Sequence, residues 1–164
     1  MPRNRWRRAA VSPAQAAVNS SSMKKYKILV LCTGNSCRSQ IAHGYLQAFA
    51  GERAEVYSAG VETHGVNPNA IATMTEDGID ISKHTSNNIT EYQGIDFDFV
   101  ITVCDNAKER CPFFPGRAEK FHYNFPDPAK ASGTDEEIKQ EFRRVREMIK
   151  GYCRDFVREQ LSLA

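Results

Sequence analysis

Leu31-Cys32-Thr33-Gly34-Asn35-Ser36-Cys37-Arg38-Ser39 lies between a short apolar run, Tyr26-Lys27-Ile28-Leu29-Val30, and an amphipathic segment from Gln40 to Ala50. Strand, tight loop and helix in that order bring backbone N–H groups to one point, and the helix N-terminus adds partial positive charge. Cys32 and Arg38 stand at the two ends of the loop in a Cys-x5-Arg arrangement. A tetrahedral oxyanion cradled there meets a guanidinium on its oxygens and a sulfur beneath its central atom. The field that binds the anion also favours a thiolate, which makes Cys32 the candidate nucleophile. A cysteine that only packs needs neither the adjacent arginine nor the glycine. Ser39 is placed to donate a hydrogen bond to the thiolate, and Asn35 and Ser36 to hold the loop with its N–H groups inward. A plain helix cap at Ser39 and a plain turn residue at Asn35 are the structural alternatives.

Outward from this loop the chain alternates strand and helix. Tyr26–Leu31 reads as a buried strand, and Ser39–Ala50 as a helix with Ile41, Tyr45, Leu46 and Phe49 on one face. Glu55–Ser58 is a short strand. Pro68 after Asn67 starts a second helix, which carries Ile71, Met74 and Thr75 and stops at Gly78. Phe97–Val103 is a third strand, nearly continuously apolar toward its end, and Ala118–Asn124 a weaker fourth. Thr134 with Glu137 forms a capping box for a long last helix, in which Ile138, Phe142, Val145, Met148, Ile149, Tyr152, Phe156 and Val157 recur at helical spacing. The pattern predicts an α/β fold, a single three-layer domain whose four-stranded parallel sheet is flanked by helices. Ligands of such sheets bind at the carboxyl ends of the strands, where Cys32 falls. Only Gly34 lies in the first strand–helix turn, so a dinucleotide fingerprint is missing.

At 164 residues the chain is long enough to bury one core, and no apolar run approaches the roughly 18 residues that cross a bilayer. The formal charge of +2 hides a division: residues 1–22 hold four arginines and no acid, and the remaining 18 basic residues face 20 acidic ones. Residues 23–164 are thus the folded domain, and their anion affinity must be local. Neither a nucleic-acid footprint nor a membrane partner is expected. The leader is expected to be disordered. Its composition suits an organellar transit peptide, a nucleic-acid tail or an extension before a start at Met23. Five cysteines, an odd number without a secretory signal, point to reduced thiols and a cytoplasmic setting.

Cys-Thr-Gly-Asn-Ser-Cys-Arg-Ser at 32–39 resembles the phosphate loop of low-molecular-weight protein tyrosine phosphatases and of the arsenate reductases that share their fold. Tyr57-Ser58-Ala59-Gly60, Asn67-Pro68-Asn69-Ala70, Gly78-Ile79-Asp80-Ile81 and Asp127-Pro128 agree with it, and the likeness runs from about Lys27 into the last helix. It implies an oxyanion site built from Thr33, Gly34, Asn35, Ser36, Cys37, Arg38 and Ser39. It also makes Asp127 the general acid, where the dipeptide alone reads equally as an Asp-Pro turn. Cys104 and Cys111 follow the third strand with six residues between them. Ester hydrolysis has no use for them, whereas a reductase draws two electrons from such a pair. Zinc fits poorly, because the spacing exceeds the usual two to four residues and no second pair follows. Here the chain looks like the thioredoxin-coupled arsenate reductases. Phosphatases of this fold place aromatic residues just after Asp-Pro, and this chain has Ala129-Lys130-Ala131 there.

The resemblance implies a relay. Cys32 attacks arsenic while Asp127 protonates a departing hydroxide. Cys104 then attacks the Cys32 sulfur, arsenite leaves with the electron pair, and a transient Cys32–Cys104 disulfide passes to Cys104–Cys111 for reduction by thioredoxin. No tightly bound cofactor is implied, and a monomer is expected. Several members hold potassium beside the loop. Asn35 and Ser58 match two of those positions, but His43 and Asn87 replace carboxylates, so no metal site is expected. His43 reads either as a positive or hydrogen-bonding group near the loop or as a partly exposed helix residue, and His84 has no assigned role. Cys37 reads as a small packing residue or a protective partner of Cys32, Cys153 as buried and inert, and Arg143-Arg144-x-Arg146 as a solvated helix face. The other readings are a phosphatase for phosphate esters and a non-enzymatic arsenite sensor with three soft thiol ligands.

Overall fold

The computed structural model describes residues 24–111 and 118–161. The leader expected over residues 1–22 and Pro112 after Cys111 lie outside them. The chain runs β1 (Tyr26–Cys32), α1 (Arg38–Ala50), β2 (Ala54–Gly60), α2 (Pro68–Glu76), β3 (Phe99–Thr102), α3 (Asp105–Arg110), β4 (Glu119–His122) and α4 (Asp135–Gln160). The four strands form one parallel sheet in the order β2-β1-β3-β4. β1 is central, and Ile28, Leu29, Val30 and Leu31 are wholly buried, as a strand covered on both faces must be. It extends one residue past its expected end, so Cys32 pairs with Gly60 on the last rung beside β2.

Alternation along the strands assigns the two faces. Phe99 and Phe121 turn toward α4, where Phe156 meets both rings edge-on at 5.3 and 5.0 Å. Tyr57 turns the other way and packs edge-on against Tyr92 and Phe97. That second face is covered in part by a single 3-10 turn, Ile89–Tyr92, capped by Asn88. Full burial of each such aliphatic or aromatic side chain contributes about 1.5–3 kcal/mol. Phe97 and Val103 are buried as expected but lie outside β3. Asp98 stands before that strand because its carboxylate accepts the Lys27 N–H and pairs with Lys24.

The helices start where their caps dictate. Asn67 accepts the Asn69 N–H at 2.7 Å, Pro68 fixes the first turn of α2, and Gly78 with φ +79° ends the segment. In α2 the buried partner of Met74 is Thr73, and Thr75 is exposed. Thr134 and Glu137 bond reciprocally at 3.1 and 2.8 Å, the capping box expected for α4. The arginines of α4 are more than a solvated face. Arg143 bonds Glu76 through two nitrogens, and the mostly buried Arg146 reaches the Thr73 carbonyl and Glu76, which ties α4 to α2. α3 is an element that hydrophobic periodicity misses: it is six residues long, with Cys104 at its N-cap and Cys111 at its C-cap.

Candidate active site

Asn35 holds the loop between β1 and α1. It is fully buried at φ +50°, a left-handed conformation that asparagine tolerates better than most residues. Its Nδ2 donates to Ser39 Oγ at 2.7 Å, its Oδ1 accepts the Asn87 N–H, and its carbonyl accepts from Gln40. With a lone pair of Ser39 Oγ taken by Asn35, the serine hydroxyl is free to donate to Cys32 Sγ, 2.9 Å away. The helix N-cap is Cys37, and Ser39 lies inside α1, so the plain-cap reading of Ser39 fails.

The loop is pulled open from outside. Thr33 O accepts from Glu62 N, Gly34 O from His64 N and the Ser86 hydroxyl, Asn35 O from Gln40, and Ser36 O from Asn67 N. In a trans peptide the C=O and N–H groups are antiparallel, so four outward carbonyls turn the intervening N–H groups inward. Two glycines make this packing possible. A Cβ on Gly34 would overlap the His64 ring, and one on Gly60 would overlap backbone atoms of the loop and of Glu62.

The resulting cavity, about 300 Å³, is lined by Cys32, Thr33, Gly34, Ser36, Cys37 and Arg38 from the loop, with His64, Asp127, Ala129 and Lys130 around them. Arg38 is fixed by donation to the Phe125 carbonyl at 3.0 Å, and its other terminal nitrogen lies 3.6 Å from Asp127. Asp127 accepts the Ala129 N–H at 3.0 Å and caps the Pro128–Lys130 turn, while Pro128 is buried. The carboxyl group is therefore both held by its own turn and directed at the cavity. A larger open depression of about 610 Å³ lies on the charged face of α4, and no cysteine lines it.

All five cysteines are thiols. Cys104 is buried at the start of α3, with Sγ 3.4 Å from Thr33 Oγ1, and Asn106 donates to that same oxygen at 3.0 Å. The Thr33 hydroxyl is thus turned toward Cys104, and the second thiol stands against the residue that follows Cys32. Cys111 is half-buried at the far end of α3, and burial pushes its pKa up. Burial also pushes Cys37 up to about 12, which suits a packing role. Cys153 is wholly buried on α4, its thiol raised further and pointed at the Ala42 carbonyl.

The four positions compared with a potassium site are occupied by bonds within the protein. His43 Nδ1 and Ser58 Oγ are 2.8 Å apart, both Asn35 side-chain atoms are engaged, and the Asn87 side chain bonds Thr85 and Glu91. Burial, with the His84 ring tilted against it at 4.2 Å, lowers the His43 pKa to about 3, so His43 adds no positive charge to the loop. His84 donates from Nδ1 to Gln40, which in turn holds Asn35. Among the described residues no group of three or more His, Cys, Asp or Glu side chains is placed to hold a metal ion.

His64 and Lys130 were not anticipated as cavity walls. The rule that ligands bind at strand carboxyl ends points to the loop after β2, which carries Glu62 and His64. Lys130 is visible in sequence only as the absence of an aromatic residue.

The chain matches the family model for low molecular weight phosphotyrosine protein phosphatase over residues 27–163. It is 52% identical over 127 residues to an arsenate reductase of Halalkalibacterium halodurans, covering 77% of this chain and 91% of that one. It is 46% identical over 134 residues to an arsenate reductase of Bacillus subtilis, covering 82% and 96%. An arsenate reductase solved in its oxidized state superposes with a TM-score of 0.71 at 31% identity, covering 81% of this chain and 97% of that one. A low molecular weight protein tyrosine phosphatase from T. tengcongensis shares the fold at a TM-score of 0.69 and 22% identity, covering 82% and 99%.

Proposed function

This chain belongs to the low molecular weight phosphotyrosine protein phosphatase family, and from its likeness to the arsenate reductases within that fold we propose that it reduces arsenate to arsenite. The observation that carries the reading is the second thiol: Cys104 Sγ sits 3.4 Å from Thr33 Oγ1, on the loop that holds Cys32. Hydrolysis of an ester needs one sulfur, and reduction needs a second within reach of the first.

Arsenate enters the cavity and accepts hydrogen bonds from the inward N–H groups and Arg38. Cys32, supported by Ser39, attacks arsenic, and Asp127 gives a proton to the oxygen that leaves as water. Cys104 then attacks the Cys32 sulfur. The S–As bond breaks, its electron pair reduces arsenic from +5 to +3, and arsenite departs from a Cys32–Cys104 disulfide. Cys111 attacks Cys104, forms Cys104–Cys111 and releases Cys32 as a thiol. A reduced thioredoxin then supplies two electrons to the remaining disulfide, with no tightly bound cofactor. This assignment fits a cytoplasmic monomer, and no helix among the described residues is long and apolar enough to cross a membrane.

Arsenate-dependent NADPH consumption with thioredoxin and its reductase, measured beside aryl phosphate hydrolysis, tests the reading. The expected result is consumption that Cys32→Ser abolishes and that stalls in Cys111→Ser after about one turnover, with Cys32–Cys104 oxidised. Brisk hydrolysis without consumption would establish a phosphatase, and multiple turnovers by Cys111→Ser would remove the relay.

A further inference from the structure

Lys130 and His64 reach the cavity from opposite edges of the sheet, Lys130 on the turn that follows β4 and His64 in the loop that follows β2. The relay uses neither. The His64 ring is pinned: its Nε2 donates to Glu62 at 2.7 Å, Glu62 also meets Arg110 at 3.5 Å, and the ring lies against Gly34. Among the described residues the Lys130 ammonium has no hydrogen-bond or ion-pair partner. The groove beside it also carries Glu137 and Glu141. Those carboxylates are engaged elsewhere, Glu137 by the Thr134 N–H and Glu141 by two nitrogens of Arg144. A cation bonded to none of the three carboxylates near it, Asp127, Glu137 and Glu141, thus lines an anion cavity.

Resting on the arsenate reading, we propose that Lys130 by its charge and His64 by its bulk select the free inorganic oxyanion over its esters. Cys32 lies on the cavity floor, so in-line attack sets the leaving oxygen at the mouth, beside Asp127 and Lys130. In arsenate that oxygen is small and accepts from the ammonium, a mobile point charge with three donors. In an ester it carries a carbon group, which strips water from the ammonium and returns no hydrogen bond. Ala129 offers such a group only a methyl, and the pinned His64 ring takes up the space on the other side.

The test uses two readouts that do not depend on one another. Calorimetric titration of arsenate into Cys32→Ser protein, with and without Lys130→Ala, reads binding without turnover. The variant should bind about tenfold more weakly, the ratio expected for one charge-assisted contact, and Lys130→Arg should restore affinity. With Cys32 present, Lys130→Ala should raise KM for arsenate by a larger factor than it lowers kcat. Its kcat/KM for p-nitrophenyl phosphate should hold or rise, and His64→Ala should raise that value further. Equal arsenate affinity in the lysine variant, or parallel loss toward both substrates, overturns the proposal. A wild-type protein that reduces no arsenate overturns the reductase reading instead, and the Cys32→Ser titration still decides Lys130.

Discussion

Ser39 acts on Cys32 only because Asn35 acts on Ser39. The amide donates into the hydroxyl oxygen at 2.7 Å, and the hydroxyl proton is left for the sulfur at 2.9 Å. Hydrogen bonds to a charged group contribute about 1.5–3 kcal/mol each. Ser39→Ala is therefore expected to lower kcat/KM for arsenate about 10- to 100-fold, with far-ultraviolet circular dichroism unchanged. Steady-state kinetics at neutral pH checks this, and wild-type rates in the variant would show that the hydroxyl has only a packing role. Both partners were legible in the sequence because they lie within one loop and one helical turn. The direction of the bond was not, since it depends on Asn35 being fixed by Asn87, 52 residues away.

At the scale of the element, α3 is the part that has to move. Cys104 and Cys111 bracket a six-residue helix. Seven residues at a helical rise of about 1.5 Å each separate their Cα atoms by roughly 10 Å, whereas a disulfide needs less than about 7 Å. The Cys104–Cys111 disulfide therefore cannot form while α3 stays helical. The helix is short and held at its edges by two polar contacts, a hydrogen bond of His122 to Asp105 at 2.7 Å and an exposed pair of Arg110 with Glu62 at 3.5 Å, the latter a weak restraint. Oxidation is expected to unwind it. Hydrogen exchange of the Lys108 amide, bonded at 3.1 Å to the Cys104 carbonyl in the reduced form, should speed up about tenfold or more in the disulfide form. Undiminished protection there would place the second disulfide elsewhere. A six-residue helix without an apolar stripe leaves hydrophobic periodicity nothing to detect, which is why the sequence pattern assigns no element between Cys104 and Cys111. The capping box of α4, by contrast, is a local signal between residues three apart, and it forms as read.

The molecule as a whole carries part of its pH dependence in the neighbouring histidines His43 and His84, both lowered by burial. Folding pulls His43 from its ordinary 6.5 to about 3, chiefly through burial. Between those values the unfolded chain binds a proton that the folded chain refuses, so stability is full above about 6.5 and falls as pH drops toward 3. The slope is about 1.4 kcal/mol per pH unit for one proton. Urea unfolding from pH 7 to 5 should show that decline, and His43→Gln should flatten it by about one proton's worth; an unchanged slope would mean that His43 titrates normally. The alternation of strands and helices, the Cys-x5-Arg loop and the helix caps were determined by the sequence alone, because each rests on residues near in the chain and on backbone geometry that any partner would leave intact. The tertiary structure alone decided that Cys104 lies against Thr33, that His64 and Lys130 wall the cavity, and that His43 is neutral. Those placements join segments from four strands across the order β2-β1-β3-β4, and the packing that brings them together leaves no periodic trace in any one of them.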